Sequence, residues 1–273
     1  MGTAHLSSGE GEDMDLGLSG KVAIITGGSE GIGKGVALCL AREGVKVAIC
    51  ARRREILERA AAEITALSGG EVFAQPADVT SREELEKFVT LTVNRFGRLD
   101  ILVNNAGKSA AKKFEDVTDA EWQEDLDLKL MAAVWCSRLV IPYMRKVGGG
   151  RIINVTHPGG KAPGARSLPT SVSRAAGIAL TKALSRDYAA DNILVNTVCL
   201  TNIKSAQIER FWRARGAQGT LEEFCAQLGK DVPLKRLGEP EEVGALVAFL
   251  VSEQARFITG PAINIDGGVS AVV

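Results

Sequence analysis

The segment from Lys21 to Arg42 has the pattern of a strand, a glycine-rich loop and a helix. The apolar run Val22–Ile25 leads into the loop TGGSEGIG, and helical spacing of apolar side chains resumes at Val36. Glycine allows a tight turn and lets the backbone approach a ligand closely. The free N–H groups and the positive dipole end of the following helix favour a phosphate group. This unit therefore predicts a bound dinucleotide in an α/β fold.

The composition limits the number of domains and the kinds of partner that the chain can have. With 273 residues, of which 45% are hydrophobic, the chain can bury the core of one large α/β domain. Lysine plus arginine equals aspartate plus glutamate, at 33 each, so no global charge attracts nucleic acid or an anionic membrane. No apolar run approaches the roughly 18 residues of a membrane span. We expect a small-molecule substrate, no nucleic-acid partner and no membrane partner.

The cysteines and the polar start of the chain bear on its location and boundaries. The five cysteines are odd in number and scattered, mostly in apolar segments, which suits reduced thiols and predicts a cytoplasmic protein. Residues 1–17 lack the basic start and apolar centre of a signal peptide. We expect a disordered tail or a leftover of the expression vector over 1–17, and a single domain over 18–273.

Short apolar segments alternate with helical ones after the first strand. The six further strands are predicted near Val45–Cys50, Glu71–Pro76, Ile101–Asn104, Arg151–Val155, Ile193–Val198 and Ala262–Ile265. Alternation predicts a doubly wound seven-stranded parallel sheet with helices on both faces. Ser81 with Glu84, and Thr118 with Glu121, fit capping boxes at helix starts. The stretch 201–237 has helix-like spacing, which fits either a helical lid or an ordinary surface helix pair.

Several motifs occur together with the glycine loop. Asn104–Gly107, with the sequence NNAG, ends the fourth predicted strand, and Asp78 follows the third. Further motifs are GRIIN from Gly150, PLKR from Pro233, PEEV from Pro240, ITG from Ile258 and DGG from Asp266. Over residues 20–268 the chain resembles the short-chain dehydrogenase/reductase family, nearest its 3-oxoacyl reductase-like branch. The resemblance implies a Rossmann fold and a homotetramer built through the fourth and fifth helices and the last strand.

The resemblance also implies a set of cofactor contacts, carried over residue by residue. In the glycine loop the contacts are Gly27, Ser29, Gly31, Ile32 and Gly33. Asp78 and Val79 would contact the adenine, and Asn105, Ala106 and Gly107 would line the cofactor. Ile203 and Ser205 would hold the nicotinamide amide, and Arg174 would bond the ribose.

Cofactor choice depends on the residues that end the second strand. An acidic side chain there accepts the ribose 2′-hydroxyl of NAD, whereas arginine accommodates the 2′-phosphate of NADP. Here Ala51 stands at the acidic position and is followed by Arg52 and Arg53. Guanidinium groups bind phosphate bidentately, so NADP(H) is expected over NAD(H). Glu30 would repel a phosphate unless an arginine pairs with it, and a solvated arginine run is the alternative interpretation.

The resemblance implies that all four usual catalytic positions carry other residues. The usual Asn, Ser, Tyr and Lys positions align with Lys129, His157, Thr170 and Arg174. An aliphatic hydroxyl is too weak an acid to replace a phenol, so Thr170 is expected to donate a hydrogen bond only. Arg174 cannot lose its proton and serves as an anchor. His157 is the best candidate for the acid, the alternative being an inert side chain that fills the old Ser pocket.

The charges around these positions suggest a substrate class. Lys129, His157 and Arg174 are expected to converge, with three further lysines following the NNAG turn, namely Lys108, Lys112 and Lys113. A cationic pocket of this kind predicts an anionic substrate, such as a carboxylate or phosphate ester. No cluster of His, Cys or carboxylate residues has metal-ligand spacing around His157, so no metal is expected.

Three functions fit these residues. The leading hypothesis is an NADP-preferring oxidoreductase acting on a small carbonyl or alcohol, in which His157 replaces the usual Tyr. The second is a catalytically inactive dinucleotide-binding sensor or partner subunit. The third is an isomerase or eliminating enzyme that uses Lys129 or His157 as a base.

Overall fold

A seven-stranded parallel sheet forms the centre of the protein. The structure is a computed structural model that describes residues 15–272. The strands are β1 Val22–Thr26, β2 Lys46–Ala51, β3 Val72–Pro76, β4 Ile101–Asn104, β5 Gly150–Thr156, β6 Ile193–Leu200 and β7 Ala262–Ile265. Their order in the sheet is β3-β2-β1-β4-β5-β6-β7. The predicted fold class is confirmed.

Helices cover both faces of the sheet. They are α1 Gly31–Arg42, α2 Arg54–Ser68, α3 Arg82–Phe96, α4 Asp119–Leu126, α5 Ala132–Lys146, α6 Thr170–Asp187, α7 Ala206–Ala214, α8 Leu221–Gly229 and α9 Pro240–Val251. The apolar sides of α1, α2 and α9 form a core on one face of the sheet, and those of α3 and α5 form a core on the other. Since both faces are buried, the strands read as nearly continuous apolar runs.

The direction of the strand order reverses between β1 and β4. From β1 the chain runs outward to β2 and β3, and then returns to lay β4 on the other side of β1. Ligands of open α/β sheets bind at such a reversal, outside the carboxyl ends of the strands. The glycine loop leaves β1 and the NNAG turn leaves β4 at this edge, so the fold brings the two motifs together.

The predicted capping boxes differ in the structure. Thr118 and Glu121 form the full reciprocal box at the start of α4. At α3 the Ser81 hydroxyl accepts from the Glu84 N–H, but the Glu84 carboxylate accepts from the Asp78 N–H instead. Ser81 therefore caps α3 alone, while Glu84 ties the helix to the loop that follows β3.

A π-helical turn, Asp127–Met131, separates α4 from α5. Its hydrogen bonds join residues five apart instead of four, so the turn carries one extra residue. π-Helical turns inside α-helices occur frequently at functional sites. Lys129 lies in this turn and is buried.

Two predicted segments lie at the margins of the domain. Within 201–237 the structure places α7 and α8, and a lid role for them stays a prediction. Of the predicted tail, residues 1–14 lie outside the described residues, whereas Leu16 packs on the core and its carbonyl accepts from the Glu253 N–H. In the part of the chain that the structure describes, no helix is both long and apolar enough to cross a membrane.

Candidate active site

The glycine loop forms a cradle at the start of α1. Glu30 is the N-cap of α1, with an extended backbone and no side-chain hydrogen bond to the helix. Gly27 and Gly31 have φ of 68° and 51°, the left-handed region that favours glycine. The first N–H groups of α1 have no capping side chain, so they are available to an anion.

The NNAG turn packs directly on the glycine loop. The Asn105 side-chain amide donates to the carbonyls of Thr26, at 2.9 Å, and Gly27, at 3.2 Å. The Thr26 hydroxyl accepts from the backbone N–H groups of Asn105, at 3.0 Å, and Ala106, at 3.1 Å. A Cβ on Gly33 would lie 2.5 Å from the Asn105 amide nitrogen. The position therefore requires glycine because the turn and the helix approach too closely for a side chain.

The loop after β6 reaches the same cradle. A Cβ on Gly31 would lie 3.4 Å from Ser205 and from the Ala206 backbone nitrogen, which begins α7. Ser205 has no side-chain hydrogen bond into α7, so this helix start is also uncapped. Ile203 is buried and forms a bridge to Gly238. Ser205 thus borders the cleft, while the Ile203 side chain belongs to the core.

The residues expected at the adenine end are held in place. The Asp78 carboxylate accepts from the Thr80 N–H and hydroxyl, at 2.9 and 2.8 Å, and Val79 is buried. Arg53 forms an ion pair with Glu30, which neutralises the acidic group in the glycine loop. Arg52 is exposed and has no ion pair among residues 15–272.

Lys129 and Thr170 meet across the cleft. Lys129 Nζ donates to Thr170 Oγ1 at 2.8 Å and forms an ion pair with Asp125, in which each side chain is 1% exposed. Asp125 also accepts from the Ser173 hydroxyl at 2.6 Å. Burial, opposed by the Asp125 hydrogen bond, lowers the pKa of Lys129 to about 8. The ammonium and amine forms are therefore both accessible near neutral pH.

Arg174 lies between this pair and the NNAG turn. Its guanidinium donates to the Val155 carbonyl at 2.8 Å, and a Cβ on Gly107 would lie 3.0 Å from it. Its buried Nε has no hydrogen-bond partner among the described residues. Burial lowers the pKa of Arg174, but a guanidinium remains charged in proteins. The group can therefore act as a fixed cation and donor.

His157 is exposed and directly follows β5. Its Nδ1 accepts from the Gly159 N–H at 2.8 Å. The hydrogen-bond network thus assigns the proton of the neutral imidazole to Nε2, which is free to donate. Protein packed around the ring, together with the Arg174 charge, lowers the pKa of His157 below its ordinary value of 6.5. At neutral pH the imidazole is uncharged.

The family model described as enoyl-(acyl carrier protein) reductase matches residues 27–270. Dehydrogenase/reductase SDR family member 4 of Oryctolagus cuniculus is 34% identical over 252 residues, which are 92% of this chain and 94% of that protein. The chain belongs to the short-chain dehydrogenase/reductase (SDR) family. The predicted family resemblance is confirmed.

Two further proteins similar to this SDR are named as reductases. A 3-oxoacyl-[acyl-carrier-protein] reductase of Synechocystis sp. is 34% identical over 254 residues, 92% of this chain and 98% of that protein. The solved structure of L-sorbose reductase from Gluconobacter frateurii, complexed with NADPH and L-sorbose, has a TM-score of 0.90 at 32% identity. The match covers 95% of this chain and 100% of that one. An oxidoreductase family is therefore established for the chain.

The cationic pocket expected from the sequence of this SDR is weaker than predicted. Lys108 pairs with Glu124 at 2.5 Å, Lys112 pairs with Glu121, and Lys113 lies 3.7 Å from Glu115. Lys129 pairs with Asp125. The prediction counted lysines without the carboxylates of α4 and of the turn before it, which neutralise them. Arg174 has no carboxylate ion pair among residues 15–272.

Sequence reasoning missed Asp125 and Ser173, which complete the buried cluster. Asp125 and Lys129 are four residues apart, the spacing that places two side chains on one helix face. That spacing was the available signal for the carboxylate. Ser173 carries no such signal, since its contact with Asp125 joins α6 to α4. Within the described range, no three His, Cys, Asp or Glu side chains are grouped to hold a metal ion.

Proposed function

We propose that this SDR is an NADP(H)-preferring oxidoreductase that interconverts a small carbonyl compound and its alcohol, through a site in which Lys129, His157, Thr170 and Arg174 replace the usual catalytic residues. The observation that carries the proposal is the packing of the glycine loop, the NNAG turn and Arg174 against one another, with the Lys129–Thr170 pair beside them. The proposed dinucleotide site and this group of polar side chains would thus share one cleft.

The residues of the cleft fit a nicotinamide dinucleotide. The uncapped start of α1 would bind the pyrophosphate, Asp78 and Val79 would border the adenine, and Ser205 would hold the nicotinamide amide. The cofactor would supply or accept a hydride when bound. Arg174 would bond the ribose hydroxyls through its unused donors.

Two arginines support the preference for NADP(H). Arg53 neutralises Glu30, which removes the repulsion that Glu30 would exert on a 2′-phosphate. Arg52 makes no ion pair with any described residue, so its donors would be available to that phosphate, and guanidinium pairs with phosphate bidentately. The L-sorbose reductase neighbour was solved with NADPH, which agrees with this assignment.

His157 and Arg174 would act on the substrate. The Nε2–H of the neutral imidazole would donate to the substrate oxygen and polarise the carbonyl. Arg174 is the cation that would meet an acidic group of the substrate, since the neighbouring lysines already pair with carboxylates. We therefore propose a small substrate with at most one anionic group near the carbonyl.

The deciding experiment is a fluorescence titration with NADPH and NADH, followed by a panel of matched acidic and neutral carbonyl compounds. We expect tighter binding of NADPH and its oxidation by a member of the panel, with His157→Ala slower than the parent. Binding without turnover would favour the sensor or partner-subunit function. Absence of binding would refute the dinucleotide site itself.

A further inference from the structure

The Thr170 hydroxyl is left with one unused hydrogen-bonding function, its proton. Thr170 Oγ1 accepts from Lys129 Nζ at 2.8 Å and from the Ala110 backbone N–H at 3.0 Å. A hydroxyl has two lone pairs and one proton, so both acceptor positions are occupied. Among the described residues nothing accepts the Thr170 proton. The hydroxyl is thus oriented as a donor, and Thr170 is partly exposed.

Lys129 is hydrogen-bonded to Thr170 and can replace a proton that the Thr170 hydroxyl loses. Lys129 is fixed by the Asp125 carboxylate, which is fixed in turn by the Ser173 hydroxyl. An ammonium presents three donors, of which one is directed at Thr170 and one at Asp125. The side chains form a continuous hydrogen-bonded path from Asp125 through Lys129 to Thr170.

We propose that the proton given to the substrate oxygen comes from the Thr170 hydroxyl and is replaced in the same step from Lys129 Nζ, with Asp125 as the residue that positions Lys129. This inference rests on the proposed function, because it needs a carbonyl substrate in the cleft. An aliphatic alcohol by itself is too weak an acid to give up this proton. Because Lys129 replaces the proton in the same step, no free alkoxide forms on Thr170.

The bonds balance as follows in the direction of reduction. A nicotinamide cofactor, when bound, would supply the hydride to the carbonyl carbon, and the π electron pair would become a lone pair on oxygen. That oxygen bonds the Thr170 proton as the Oγ1–H bond breaks, and Oγ1 takes a proton from Lys129 Nζ. Lys129 is left as a neutral amine. Because its side chain is 1% exposed, it regains a proton through the partly exposed Thr170 hydroxyl, from water that replaces the alcohol product. Oxidation of the alcohol follows the reverse path.

The relay predicts opposite pH dependences for the two directions. Reduction needs the Lys129 ammonium and should fall as pH rises through about 8, whereas oxidation needs the amine and should rise through the same pKa. The charged groups that face Lys129 are Asp125 from α4, Arg174 from α6 and Lys108 from the loop after β4. His157 faces Arg174, and its pKa lies below 6.5. Its protonation therefore occurs at lower pH than that of Lys129.

Asp125 has a distinct signature in this scheme. Its hydrogen bond and charge raise the pKa of Lys129 against the effect of burial. Asp125→Asn should therefore move the descending limb of the reduction profile to lower pH. A carboxylate with only a structural role would change the rate at every pH and leave the limb in place.

Steady-state reduction by the parent and by Thr170→Val, Thr170→Ser and Lys129→Arg tests the relay. Thr170→Val should lose roughly 100-fold or more in kcat, the contribution of a general acid, whereas Thr170→Ser keeps the hydroxyl and most of the rate. Lys129→Arg keeps the charge, loses the transferable proton and should lose both rate and the limb near pH 8. Lys87→Arg, an exposed change on α3, is the matched control.

A second measurement needs neither cofactor nor substrate. In protein labelled with ¹³C-lysine, the NMR signal that is absent from Lys129→Arg should titrate near pH 8, and lower in Asp125→Asn. A Lys129 signal that stays charged to pH 10, or a Thr170→Val variant as fast as an active parent, would overturn the relay and leave the proposed function intact. A parent that binds NADPH but reduces no carbonyl would overturn both.

Discussion

At the scale of single residues, the Asp125–Lys129 ion pair affects the stability of the fold as well as the proposed chemistry. Breaking a buried ion pair by removing one partner leaves an uncompensated charge and costs about 3–5 kcal/mol, whereas replacing both partners is often far less costly. Lys129→Met should therefore lower the free energy of unfolding by that amount. The double variant Asp125→Asn with Lys129→Met should recover much of the loss. Urea unfolding of the parent, of the single variants Asp125→Asn and Lys129→Met and of the double variant measures the coupling, and strictly additive costs would contradict it.

Arg52 and Arg54 offer a matched pair for cofactor choice. Both are exposed, but Arg54 pairs with Glu58 on its own helix, and Arg52 has no such partner among the described residues. A hydrogen bond to a charged group contributes about 1.5–3 kcal/mol, so Arg52→Ala should weaken NADPH binding by roughly 10- to 100-fold. NADH binding should change little, because NADH lacks the 2′-phosphate. Arg54→Ala should leave both affinities near those of the parent, and equal losses for NADPH and NADH in Arg52→Ala would contradict the assignment.

At the scale of elements, the contact between α1 and the NNAG turn depends on the absence of a side chain at Gly33. A Cβ there would collide with the Gly27 carbonyl and the Asn105 amide, both of which belong to the cradle. Overpacking of this kind costs typically 1–3 kcal/mol, so Gly33→Ala should lower stability and weaken NADPH binding together. Gly164→Ala is the control, since a Cβ there meets nothing within 4 Å. Thermal unfolding and the NADPH titration measure both effects, and normal NADPH affinity in Gly33→Ala would contradict the close approach.

The elements also show what the sequence could and could not predict. The strands were predictable to within two residues because buried parallel strands are apolar on both faces, and β4 and β7 have the predicted bounds. The π-helical turn was not, since apolar periodicity over a few residues does not register one extra residue. The ion pairs that neutralise Lys108 and Lys112 join different segments, and their partners become visible only once α4 is folded over the loop.

At the scale of the whole molecule, the strand order determines where chemistry can occur. The reversal between β1 and β4 opens the cleft, and the glycine loop, the NNAG turn and the loop after β6 all leave the sheet at that edge. Lys129 lies in the π-helical turn before α5, and Thr170 and Arg174 lie on α6, so two segments bring these side chains to the same edge. Residues 45 positions apart in the sequence therefore share one hydrogen-bonded site because of the topology.

The homotetramer predicted from the family resemblance also concerns the whole molecule, and the last strand is expected to form part of its interface. Phe257 precedes β7 and is fully exposed in the single chain. Large aromatic side chains are enriched among the residues that dominate the energy of protein interfaces. We expect the parent to elute with about four times the 28.9 kDa mass of the chain in gel filtration coupled to light scattering. Phe257→Glu should lower that mass because it places a charge in the interface, whereas Phe114→Ser, a change at an exposed site between β4 and α4, should not. A monomeric parent, or a Phe257→Glu variant with an unchanged mass, would exclude an interface built on this part of the molecule.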